Sequence, residues 1–232
     1  MKVKTLSVLA GISAPLILTG SVDAGFTGVT TTAKPNSFNL YVVNVYAEFD
    51  NPGNDAMGAV GGTPNNPLSI SVVGGSFWNQ PTFGGDTAPD AAWVGAFPSL
   101  AFDTFVTIGV KSTGPLGQPA DGTTLVNFPQ PIAGTSISAS NGSWAILGPL
   151  PQGDPFDPIN SFPGDGRVLI GQFSMEIPAD TPYGFTGEFG MHLDSDGVHV
   201  IAYGTFSSIV PTPGALGLIG LAGLLTTRRR HR

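Results

Sequence analysis

Residues 167–177 read RVLIGQFSMEI, a run with a period of two. That period places Leu169, Phe173, Met175 and Ile177 on one side and Gln172, Ser174 and Glu176 on the other. An α-helix would scatter both sets around its axis, so the pattern predicts a half-buried β-strand. Residues 185–193 repeat it through Phe185, Phe189, Met191 and Leu193. Residues 39–49 do so through Tyr41, Val43, Val45, Ala47 and Phe49, with Asn44 and Glu48 opposite. Residues 102–110 align Phe102, Thr104, Val106, Ile108 and Val110, and shorter candidates lie at 68–73, 123–128 and 143–147. Short alternating strands joined by turn residues predict an all-β body, a single antiparallel β-sandwich of jelly-roll or Ig-like type.

Between these strands lie three long Gly- and Pro-rich connections, residues 50–67, 74–98 and 148–166. Strand patterns resume after each, so they read as loops within one domain rather than as linkers. The 33 glycines and 21 prolines suit elaborate turns, while a 41% hydrophobic content supplies enough apolar surface to offset chain entropy. There are no cysteines, which excludes disulfide staples, thiol catalysis and thiolate metal sites. Over residues 25–208 the only cations are Lys34, Lys111 and Arg167, against fifteen acidic residues, a net charge of −12. A body so acidic repels nucleic acid and anionic membrane surfaces.

Both ends read as addresses. Residues 1–24 carry Lys2 and Lys4, an apolar run from Leu6 to Leu18, and small residues at Val22 and Ala24. These are the parts of a signal peptide that signal peptidase would remove. Residues 209–232 read IVPTPGALGLIGLAGLLTTRRRHR. The apolar part, 214–227, would form a helix of roughly 20 Å, short against about 30 Å of hydrocarbon. It is therefore expected to be a weak transmembrane helix, held by the basic cluster 228–232 on the cytoplasmic side.

The order Val210-Pro211-Thr212-Pro213, apolar run, then Arg228-Arg229-Arg230 resembles the bacterial PEP-CTERM sorting signal, with Thr212 in place of the hallmark glutamate. The resemblance covers only the tail. It implies processing by an exosortase-type enzyme, transient membrane attachment through the tail, and an exported protein at the cell surface or in the extracellular matrix. It also implies an association with extracellular polysaccharide.

For the body itself the leading expectation is a non-enzymatic surface protein, with a carbohydrate-binding module as the alternative and a secreted hydrolase behind it. Three features bear on these. Asp196-Gly197 is a hairpin turn signal: a two-residue loop puts Asp194 opposite His199 and a four-residue loop puts His192 opposite it, and either way Asp194, Asp196 and His199 form a candidate calcium or zinc site at one strand end. The plainer reading is a polar hairpin tip. Two further acidic stretches, residues 50–55 and the set Asp154, Asp157 and Asp165, offer oxygen ligands for calcium or simply make turns. Trp78, Trp93 and Trp144 would stack on sugar rings if exposed, and would plug the core if buried. No serine sits in a nucleophile elbow, and paired carboxylates for hydrolysis cannot be chosen from sequence among fifteen acids.

Overall fold

The computed structural model describes residues 25–210 apart from 37, 39, 51–54, 114–121, 148–150, 161–163, 179–180, 182 and 196–197. The signal peptide, the sorting motif from Pro211 onward and the basic cluster lie outside the described residues. Among the described residues no helix is long and apolar enough to cross a membrane.

The body is all-β, two antiparallel sheets facing each other across one core. The first sheet runs β1 (Phe26–Pro35), β2 (Leu40–Phe49), β10 (Arg167–Glu176), with the two-residue strands β5 (Ser76–Phe77) and β6 (Phe105–Val106) on the far edge of β10. In the second sheet β11 (Tyr183–Ser195) is central. Along one edge of it lies β12 (Val198–Val210); along the other, β3 (Asp55–Gly61) and β4 (Leu68–Val73) sit end to end. Beyond them come β9 (Ser143–Ile146) against β3, β8 (Ser136–Ala139) against β4, and β7 (Thr123–Val126) outside β9.

The core fills from both sheets. Val43, Val45, Phe173 and Met175 come from the first; Met57, Ile70, Trp144, Phe185, Phe189, Met191 and Leu193 come from the second. The alternation read in β2, β4 and β11 thus selects the buried face. Trp144 is fully buried, edge-on to Phe128, and its indole N–H donates to the Thr107 carbonyl at 3.0 Å.

Strand β10 departs from its simple alternation. Leu169 pairs with Tyr46, yet Gly171 pairs with Val45, so Ile170 forms a bulge. A bulge shifts the side-chain parity by one residue. Val168 and Ile170 therefore join Phe173 and Met175 in the main core, while Leu169 turns to the opposite face. That face is not solvent. Leu169 and Tyr46 pack under Ala88, Phe105 and Val110, and Gln172 and Ser174 are fully buried.

The cover is the long segment leading from β5 to residue 113. Residues 102–110, expected as one strand, instead comprise the end of a 3₁₀ turn (Pro98–Phe102), the short β6 and irregular backbone. Every residue from Asp103 to Val110 is buried whatever its parity, because the segment runs beside β10 with Val106 and Ile108 in the main core and Phe105 and Val110 in the second cluster. Its polar groups are matched to β10. The Gln172 amide donates to the carbonyls of Ala101 (3.0 Å) and Asp103 (2.9 Å). The Thr104 hydroxyl accepts from Ser174 N–H at 3.0 Å and contacts the Trp78 and Ser174 carbonyls at 2.6 and 3.1 Å. The expected loops also contain regular structure: β3 in residues 50–67, and β5 and a short helix, α1 (Ala91–Ala96), in residues 74–98.

Replacing Thr104 by Val keeps the shape and removes these bonds, leaving a buried donor unpaired. The loss should be about 1–3 kcal/mol. Chemical denaturation measures it; an unchanged midpoint would show that the cover is held by apolar contact alone.

Candidate functional site

The cover presents an aromatic platform. Asp90 caps α1, its carboxylate accepting from Ala92 N–H at 2.7 Å. Trp93 and Phe97 are four residues apart, so they emerge on one side of the helix end, and their rings lie 5.8 Å apart and nearly parallel. The Phe83 ring sits against both, 4.9 Å from Trp93 and 4.4 Å from Phe97. All three are exposed, Trp93 by 48%. The other tryptophans differ. Trp144 is the core plug already described, and Trp78 is half-buried.

The platform is held from beneath. Gln80 accepts at its side-chain oxygen from the N–H groups of Thr82 (2.8 Å) and Phe83 (2.6 Å), which fixes the turn carrying Phe83. Asp103 then holds that turn, accepting from Gln80 N–H and Gly85 N–H, each at 2.8 Å. Burial raises the Asp103 carboxyl above the ordinary range, with Asp86 adding to the shift and the backbone N–H groups opposing it.

A raised native carboxyl binds a proton at a pH where the unfolded chain has lost it. Its stabilising contribution is full below the ordinary value of 3.8 and disappears as pH rises through the native value. The stability margin of wild type over Asp103→Asn should therefore shrink with rising pH across that window. Denaturation at stepped pH tests this; a margin that grows with pH would mean that the hydrogen bonds outweigh burial.

At the hairpin Ser195 pairs with Val198 and Asp194 with His199, which is the register of the two-residue alternative and not of the four-residue one. His199 and His192 are exposed. Asp196 lies outside the described residues, and among those described no three His, Asp or Glu side chains gather as metal ligands. Of the other acidic stretches, Asp154 and Asp157 close turns by accepting from Phe156 and Ile159 N–H, each at 2.8 Å. Asp165 pairs with Arg167 at 2.7 Å. His192 instead borders a shallow depression outside the second sheet, floored by Gly58, Ala59, Gly61 and Gly190.

A second recess lies on the outer side of the first sheet, where the cover stops short of β1. Thr32 and Lys34 of β1 and Val42, Asn44 and Tyr46 of β2 form its floor. Ala101, Phe102 and Lys111 of the cover form a wall, and Arg167 stands at one end. Its volume is about 440 Å³. The recess has no signature in the sequence, because its residues come from β1, which lacks an apolar alternation, and from separate parts of the chain.

No protein-family model, curated protein or solved structure matches this chain.

Proposed function

We propose that this chain is an exported cell-surface or extracellular-matrix protein that binds saccharide without catalysing its cleavage. The observation that carries the reading is the exposed, pre-positioned platform of Phe83, Trp93 and Phe97. Large apolar rings grouped in water need a reason, and a covering ligand is one. The C–H faces of sugar rings match aromatic faces, and the Phe83 ring, carried on a turn held by Gln80 and Asp103, loses little entropy on binding. Asp103 is occupied by backbone N–H groups, which supports binding over hydrolysis. The two-sheet body fits a jelly-roll or Ig-like scaffold, which leaves such surface loops free to vary.

Export and retention rest on the two ends. Signal peptidase would free the body at residue 24, and the tail would hold the precursor in the membrane until an exosortase-type enzyme acts near Pro211–Pro213. β12 reaches Val210, two residues beyond the body's expected limit at 208, so the scissile region would follow a paired strand directly.

Trp93→Ala should leave stability within about 0.5 kcal/mol, because the side chain is exposed. It should weaken retardation in polysaccharide affinity gels by about tenfold, the scale of one lost ring contact. If no polysaccharide in a broad panel retards wild type, or if the variant behaves identically, the saccharide reading fails. For the tail, intact-mass measurement of protein from the native surface should show loss of everything beyond residues 211–213. A mature protein still ending at Arg232 would remove the sorting proposal.

A further inference from the structure

We infer that the recess on the outer face of β1 and β2 is a second binding site, one for an acidic saccharide unit bearing a carboxylate. The inference is independent of the aromatic platform. Its first ground is charge. The body has fifteen acidic residues and three cations, and all three cations line this one recess. They arrive from three separate elements: Lys34 from β1, Lys111 from the end of the cover and Arg167 from the start of β10. An anion is repelled by the rest of the body and attracted here, so the field both guides and orients it.

The second ground is hydrogen bonding. Asn36 lies at the β1–β2 turn, where its side-chain oxygen accepts from Phe38 N–H (2.9 Å) and Leu40 N–H (3.0 Å). Its amide nitrogen is buried with no partner. On the neighbouring strand, the Asn44 side-chain oxygen is likewise buried with no partner. Both residues line the recess. A buried unsatisfied polar group is costly, so a ligand that supplies the missing partner is favoured there. One orphan is a donor and the other an acceptor. A sugar hydroxyl is both at once, whereas a bare inorganic anion satisfies only the donor.

Shape agrees with this chemistry. The recess volume of about 440 Å³ falls within the usual range for small-molecule sites. Phe102 gives it an aromatic wall, backed by Phe38 at 5.4 Å between ring centres. The Tyr46 phenol is kept neutral by burial, against hydrogen bonds from Thr32 and Asn44 and the nearby Arg167 charge, which lies 5.0 Å from the ring centre. It therefore presents a hydroxyl rather than a competing anion. Arg167 already pairs with Asp165 and leans on Tyr46, so it acts as a fixed end post. Lys34, exposed on β1, supplies the adaptable charge.

Calorimetric titration of the full-length chain in a non-ionic detergent tests the inference, with trigalacturonate, neutral galactotriose and inorganic sulfate as probes. Trigalacturonate should bind, with galactotriose and sulfate each at least about tenfold weaker. Raising sodium chloride from about 50 to about 500 mM should weaken trigalacturonate binding further. The pair Lys34→Gln and Lys111→Gln should cost about tenfold. Substituting glutamine for Arg228, Arg229, Arg230 and Arg232 should cost nothing, and Trp93→Ala should also leave this binding intact. If the double variant loses its cooperative melt, Lys34→Gln alone decides, since that side chain is exposed on an edge strand. Equal binding of galactotriose, sulfate as tight as trigalacturonate, no binding at millimolar ligand, or loss on tail substitution but not on lysine substitution would each overturn it.

Discussion

Strand β10 is buried on both faces, and the rest of the molecule answers to that constraint. One face carries Val168, Ile170, Phe173 and Met175 into the core. The other carries the Gln172 amide and the Ser174 N–H, buried donors that cannot be left dry without cost. The cover exists on these terms. Thr104, Ala101 and Asp103 offer the partners that β10 requires, and in doing so they thread a long irregular segment across the outside of the sheet. The bulge at Ile170 completes the arrangement by letting apolar side chains enter both layers.

Two surfaces follow from the same cover. Where it is thickest, above β10 and β6, it carries α1 and the turn that bears Phe83. Where it ends, beside β2, it leaves the polar outer rows of β1 and β2 open. Thr32 stands beside Asn44, and Asn44 beside Gln172, so one ladder of cross-strand neighbours passes from open recess to buried seam. The platform and the recess are thus two margins of one structural element. This explains how a body without metal-ligand clusters among its described residues, or disulfides, can still hold polar groups in fixed positions.

Much of the sheet architecture was legible in the sequence because exposed and buried residues alternate wherever one face meets water. Phe185, Phe189, Met191 and Leu193 show this in β11, and Leu68 to Val73 shows it in β4. Legibility failed where both sides are covered. From residues 103 to 110 the alternation of apolar side chains was incidental, since Asp103, Thr104 and Thr107 are as buried as Val106 and Ile108. It failed again at Leu169, where a bulge changed the parity, and no residue type announces a bulge at isoleucine. Strand β1 was missed because its threonines and glycine have little apolar contrast. With β1 went the recess, whose cations are 77 and 56 residues apart in the chain and meet only through topology. Trp93 was legible as a candidate, but its partners Phe83 and Phe97 required the fold.

The length of β12 has a mechanical consequence. Its thirteen residues pair in continuous register with β11, from Ser195 and Val198 at the hairpin to Tyr183 and Val210 at the far end. Whatever grips the chain beyond Val210 therefore pulls on a single long strand. Tension along that strand is shared among many hydrogen bonds loaded in parallel, whereas tension across it would open them one at a time from Tyr183. A body tethered by this end resists drag best when it trails along the β12 axis, and gives way most easily when it is levered sideways.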